Sequence, residues 1–161
     1  MGVLWKLQEI LGKKWNELSI SILSTGGKGG ILKSKIIFEG FNIPTYICFD
    51  KDRSNDRENR RLLRSVLHDT STMPENKVHE KWAYNDHNME TELNNMLSEN
   101  TCEEIWDEIN ELLDCDDTRI RKNPEVTAKF VELVYERKLS LSHFEEIINA
   151  IDKLYSSYFR I

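Results

Sequence analysis

Asp50 and Asp52 close an apolar run, Pro44-Thr45-Tyr46-Ile47-Cys48-Phe49, with Lys51 between them. Alternate side chains of an extended segment point the same way, so the two carboxylates converge while Lys51 points elsewhere. Carboxylates this close repel one another unless a cation lies between them, and Mg2+ or Mn2+ accepts hard oxygen ligands together with water. The carboxyl end of a strand is also where an open α/β sheet usually binds its ligand. The plainer alternative is a solvated acidic turn.

Other residues extend this chemistry. Glu90 and Glu92, in Asn85-Asp86-His87-Asn88-Met89-Glu90-Thr91-Glu92-Leu93, follow a later strand, so one of them can complete a cation site with the aspartates. Either also suits the first turn of a helix, where the dipole favours an acid. Arg57, Arg60, Arg61 and Arg64 share one helix face by their spacing and could bind a phosphate backbone. Lys28 lies in the loop Gly26-Gly27-Lys28-Gly29-Gly30, which lacks the Walker pattern but can approach a phosphate. Lys122, just before Pro124, is a further phosphate contact. For the arginines the alternative is a surface face partly paired with Glu58 and Asp56, and for Lys122 a solvated surface. The four histidines have no metal-ligand spacing, and no Ser/His or Cys/His nucleophile set is present. Asp50 as a nucleophile forming an aspartyl-phosphate is a weaker reading, because the supporting Ser/Thr and Lys are missing.

The elements that must position these residues follow from periodicity. Leu4, Leu7, Leu11, Trp15 and Leu18 predict an amphipathic helix over residues 3–17. Ser19 to Leu23 alternates as a short strand, and Ile31 to Gly40 reads as a helix with Ile36, Ile37 and Phe41 facing inward. A strand starts at Pro44, a helix runs from Asp56 to about His68, and a weaker strand spans 77–84. Beyond Asn85 the pattern is helical. Thr101 to Glu104 and Ser142 to Glu145 both fit capping boxes, and Phe144, Ile147, Ile148, Ile151, Leu154, Tyr155 and Tyr158 form a core stripe. Strand, loop and helix units of this length imply an α/β fold: a small parallel sheet flanked by helices, with a helical C-terminal extension. The expected division is an α/β core over residues 1–99 and a helical part over 100–161 packed on the same domain.

At 161 residues with 39% hydrophobic content the chain suits one core without staples. It lacks an apolar stretch of the roughly 18 residues a membrane span needs. With three unpaired-looking cysteines (Cys48, Cys102 and Cys115) and no signal peptide, a cytoplasmic, reduced protein is expected. The net charge of −6 divides unevenly: residues 1–64 carry +5 and residues 65–161 carry −11. The acidic stretch 103–117 has no Lys or Arg and should repel nucleic acid, whereas the basic front suits a polyanionic ligand.

The order Gly26-Gly27-Lys28, then Asn42 to Asp52, then Met89 to Leu93, resembles the Toprim domain. More narrowly it resembles the Toprim nuclease half of the OLD (overcoming lysogenization defect) endonucleases and their anti-phage relatives, over roughly residues 3–140. The resemblance implies a two-metal phosphodiesterase that cuts DNA, using Mg2+ or Mn2+. On that basis Asp50, Asp52 and Glu90 match the metal-binding carboxylates, and Lys122 matches the catalytic lysine beside the scissile phosphate. Lys28, Arg57, Arg60, Arg61 and Arg64 would hold the substrate backbone. The family's opening strand with its Glu-Gly motif, and the ATPase half that precedes Toprim, have no counterpart in this sequence. The implied partners are DNA and either an ATPase domain or a second copy. A non-catalytic interaction or oligomerisation module of a phage-defence complex is the alternative; it would use the exposed side of the first helix and an unpaired sheet edge.

Overall fold

Ile47–Asp50 (β1) and Trp82–Asn85 (β2) form a two-stranded parallel sheet in a computed structural model of the chain, which describes residues 2–51, 56–67, 73–114 and 118–159. Asp52, His68 and Cys115 lie outside the described residues. The strands pair Ile47 with Trp82, Cys48 with Ala83, Phe49 with Tyr84 and Asp50 with Asn85. All four β2 residues are buried, as a parallel strand covered on both faces requires. The preceding segment folds back beside β2: Val78 bridges Ala83 in antiparallel fashion, and the Tyr84 N–H donates to the Lys77 carbonyl at 3.0 Å. The expected strand over 77–84 is thus a turned-back segment followed by β2.

Besides these strands the described residues form seven α-helices, a mixed α/β fold consistent with a Toprim-like one. The chain divides into two compact units. One comprises Ser24–Met89 with Asn149–Ile161, and the other Met1–Leu23 with Glu90–Ile148. We call them the α/β unit and the helical unit.

In the α/β unit, Lys28–Gly40 (α2) packs with Asp56–Leu67 (α3). The core is Ile47, Phe49, Leu62, Leu63, Trp82 and Tyr84, with Ile31, Leu32 and Met73 packed against it. Phe49 stacks on Trp82 at 5.9 Å, and His79 covers Trp82 at 4.0 Å. The expected inward face of α2 is not the observed one. Ile36, Ile37 and Phe41 are 71, 56 and 75% exposed, and it is Ile31 and Leu32 that reach the core. Among the described residues the sheet has only two strands, so just the first turns of α2 find apolar surface to cover.

The helical unit contains Gly2–Ile10 (α1), most of Met89–Asn95 (α4), Glu99–Leu113 (α5), a 3-10 turn at Thr118–Lys122, Pro124–Glu136 (α6) and the start of Ser142–Phe159 (α7). α1 packs on α6, and a Cβ on Gly2 would meet the Pro124 carbonyl oxygen at 1.9 Å. The first helix is therefore largely covered. It ends far short of residue 17, because Gly12 takes φ 69° and Lys13 N–H closes back on the Gln8 carbonyl at 2.8 Å. A left-handed glycine with this back-bond is a helix stop. Trp15 is nonetheless buried, its N–H donating to Gln8 Oε1 at 3.4 Å.

Ser19 to Leu23 does not become a strand: it has no strand partner among the described residues, and Ser19 sits at φ 57°. The α5 cap is Ser98, whose Oγ accepts from the Thr101 N–H at 3.3 Å, three residues before the expected box. At the start of α7, Glu145 Oε1 accepts from the Leu141 N–H at 3.1 Å and from the Tyr135 hydroxyl. The α7 stripe is buried at Phe144, Ile147 and Ile148, while Tyr158 is exposed. α5 is less solvated than its composition suggests, since Arg137 pairs with Glu108 at 2.8 Å and Glu104 at 3.3 Å.

Candidate functional site

Asp50 is the last residue of β1, half-buried, and its in-register partner Asn85 is 3% exposed. Asn85 Nδ2 donates to Asp50 Oδ1 at 2.9 Å, while the Asn85 carbonyl accepts the Lys51 N–H at 2.7 Å. One buried asparagine thus fixes the carboxylate through its side chain and the adjoining backbone through its main-chain carbonyl. A hydrogen bond to an ionised acceptor is worth about 1.5–3 kcal/mol, enough to decide the rotamer of a half-buried aspartate.

The next residue of that segment, Asp86, is also engaged. Lys77 Nζ lies 2.6 Å from Asp86 Oδ2, and Lys51 Nζ lies 3.5 Å from Oδ1 and 5.8 Å from the Tyr84 ring centre. The Lys77 hydrogen bond, aided by Lys51, holds the Asp86 carboxyl below the ordinary carboxylate range. Lys51 does point away from Asp50, as alternation demands. Beside it, burial and then the Asp50 charge push the Cys48 thiol up to about 12, so it stays protonated near neutral pH and is no nucleophile.

Whether a divalent cation suits this strand end turns on its donors. Asp50 offers a hard carboxylate oxygen in a fixed orientation. Asp86 is committed to two ammonium groups. Among the described residues, no group of three His, Cys, Asp or Glu side chains stands together as a metal site. The described residues therefore do not by themselves make a metal site.

The other expected site residues fall as follows. Lys28 is half-buried in the first turn of α2. The loop before it needs its glycines for geometry: Gly27 takes φ 128°, and a Cβ on Gly30 would meet the Thr25 carbonyl oxygen at 2.0 Å. Arg57, Arg60, Arg61 and Arg64 belong to α3 in the same unit as Asp50, and all four are exposed. Glu90, half-buried in the first turn of α4, and Lys122, exposed at the end of the 3-10 turn, belong to the helical unit. That turn is anchored locally by Arg121, whose guanidinium stacks 4.7 Å from the Trp106 ring centre. Glu92 is buried, 5% exposed, consistent with a structural place within α4.

On α3 the arginines and the core residues separate cleanly. At ~100° per residue the four guanidiniums occupy about 100° of the circumference, opposite Asn59, Leu62 and Leu63, which are buried. With Glu58 and Ser65 they line one open surface recess. No ion pair is found for any of the four among the described residues. Like charges at these spacings cost a helix about 0.2–0.5 kcal/mol per neighbouring pair, so the stripe does not serve helix stability.

Sequence reasoning missed Asn85, Asp86 and Lys77. The signal was there for Asn85 alone: a polar residue ending a fully apolar strand segment.

Among known proteins, the family described as "Overcoming lysogenization defect protein-like, TOPRIM domain" matches residues 3–52, a span that contains the glycine loop, α2, β1 and both Asp50 and Asp52. No curated protein and no solved structure matches the chain. No helix among the described residues is long and apolar enough to cross a membrane. A Toprim match points to a nucleotide- or nucleic-acid-related role. Residues 3–52, about a third of the chain, are thus similar to the Toprim domain of OLD-like proteins.

Proposed function

We propose that the chain is a Toprim nuclease domain that takes part in divalent-metal-dependent cleavage of DNA phosphodiesters in its complete protein, within an anti-phage defence system. The observation that carries this reading is Asp50, fixed by Asn85 at the carboxyl end of a parallel strand inside the OLD-like Toprim match. In this reading Asp50 and Asp52, with Glu90, are the ligands of Mg2+ or Mn2+, which supplies neutralisation of the phosphate charge. Lys122 is the catalytic lysine, and Lys28 with the α3 arginines holds the DNA backbone. The expected assembly brings in an ATPase domain or a second copy.

Plasmid nicking with Mg2+ or Mn2+ tests the reading. Cleavage that is metal-dependent and abolished in Asp50→Ala supports it. Cleavage that survives the substitution removes Asp50 from the chemistry.

A second reading, a non-catalytic interaction module, is favoured by the exposed Ile36, Ile37 and Phe41 of α2. Size exclusion with light scattering tests it: self-association that Ile36→Lys with Phe41→Ser abolishes supports this reading, and a strictly monomeric chain counts against it.

A further inference from the structure

α3 sets a problem that the strand-end site does not solve. The chain is acidic overall, at −6, yet it places four exposed guanidiniums on one face of a twelve-residue helix. Arg57 lies at the helix start, where a positive charge is disfavoured by the helix dipole. Asp56 and Glu58, the two acids of this helix, flank the stripe: on a projection at ~100° per residue they fall about 40° from Arg60 and about 60° from Arg61, just outside the arginine sector, so two acids border four arginines. The opposite face is fully committed to the core through Asn59, Leu62 and Leu63. The arginines are thus presented by a helix whose packing fixes its rotation.

We propose that this stripe is a nucleic-acid backbone site that works without any divalent cation and without reading sequence. The proposal deepens the nuclease reading by assigning the binding energy of the α/β unit to α3 rather than to the carboxylate site. Guanidinium presents a rigid fork of donors that matches phosphate oxygens. From Arg57 to Arg64 the helix rises ~10.5 Å at about 1.5 Å per residue, and phosphates of one strand follow at roughly 3.4 Å along the axis. The stripe therefore spans about three phosphates of one strand.

The alternative occupant is the acidic α5 of a second copy, which would use the same charges. Nucleic acid is favoured because the rise of the stripe matches the spacing of successive phosphates of one strand, whereas two of the six α5 acids, Glu104 and Glu108, are already engaged by Arg137.

The test is fluorescence anisotropy of the full chain with labelled 20-nucleotide duplexes of two unrelated sequences, in EDTA. Expected is binding at low salt with a log–log salt slope of about −3, at roughly −0.9 per phosphate neutralised. Arg60→Gln and Arg64→Gln, both on the exposed face, each flatten that slope by about one, with circular dichroism unchanged. The two sequences bind within a few-fold of one another. Absence of binding in EDTA, a slope unaffected by the substitutions, or a tenfold preference for one sequence overturns the proposal. So does a concentration-dependent dimer, seen by light scattering at low salt, that the same substitutions abolish. The outcome is separable from that of the nuclease reading: cation-free binding with nicking that survives Asp50→Ala sinks only the latter, and metal-dependent nicking without cation-free binding sinks only the present one.

Discussion

Asn85→Asp replaces the buried amide that holds Asp50 with an isosteric carboxylate, and the structure sets the size of the effect. The donor bond at 2.9 Å becomes a contact between two acids, one of them on a residue that is 3% exposed. At that separation two full charges repel by ~6 kcal/mol with an effective dielectric of about 20. Taking up one proton is cheaper. It costs about 1.4 kcal/mol per pH unit above the ordinary aspartate value of about 3.9, or ~4 kcal/mol at pH 7. Some rotation of the half-buried Asp50 toward water reduces this, so the expected loss is about 2–4 kcal/mol at pH 7.

The sign of the pH dependence follows. In the variant the folded pair binds a proton that the unfolded chain releases, so its stability falls as pH rises from about 4 to 7, by up to ~1.4 kcal/mol per unit. Urea unfolding at several pH values, read by hydrogen exchange of residues 47–51 and 82–85, follows the α/β unit directly. The exchanged pair Asp50→Asn with Asn85→Asp restores one donor and one acceptor and should recover most of the loss. A loss below about 1 kcal/mol at pH 7, or a variant whose stability is flat between pH 5 and 7, would show that Asn85 does not hold Asp50.

Three further outcomes are expected. Phe130→Ala empties a fully buried position whose ring lies tilted against Trp106 at 4.6 Å and should cost about 3–5 kcal/mol by thermal or urea unfolding of the helical unit. The Asp86 carboxyl is held low by Lys77 and Lys51, so its contribution is present above an unfolded value of about 3.9 and is lost as pH falls below it. Because the two side chains are 33 and 39% exposed and so partly screened by solvent, Lys77→Met should remove no more than about 1 kcal/mol at pH 7. Ile36→Lys with Phe41→Ser, on the exposed part of α2, should leave the unfolding free energy within about 0.5 kcal/mol per site while reducing aggregation on storage.

Periodicity was enough to locate α3 and β1, because Leu62 and Leu63 recur on one helix face and the apolar run before Asp50 has no competing reading. It failed at the first helix, where the apolar spacing runs on to Leu18 but Gly12 stops the helix by backbone conformation. It also failed at Ser19 to Leu23, whose alternation is real but whose strand state requires a neighbour to pair with. The α2 face was misread for a related reason: a helix buries the stripe its neighbours cover, and only Ile31 and Leu32 meet such a neighbour.

The sequence by itself determined the composition of the site: the paired aspartates, the arginine spacing and the glycine loop are local, and side-chain alternation follows from backbone geometry alone. Tertiary structure decided what holds those groups. Asn85 stands 35 residues from Asp50, and only the parallel register of β1 and β2 brings its amide to the carboxylate. The same register delivers Asp86 to Lys51, and hydrogen-bond distances of this kind are set by strand pairing, which no local pattern encodes.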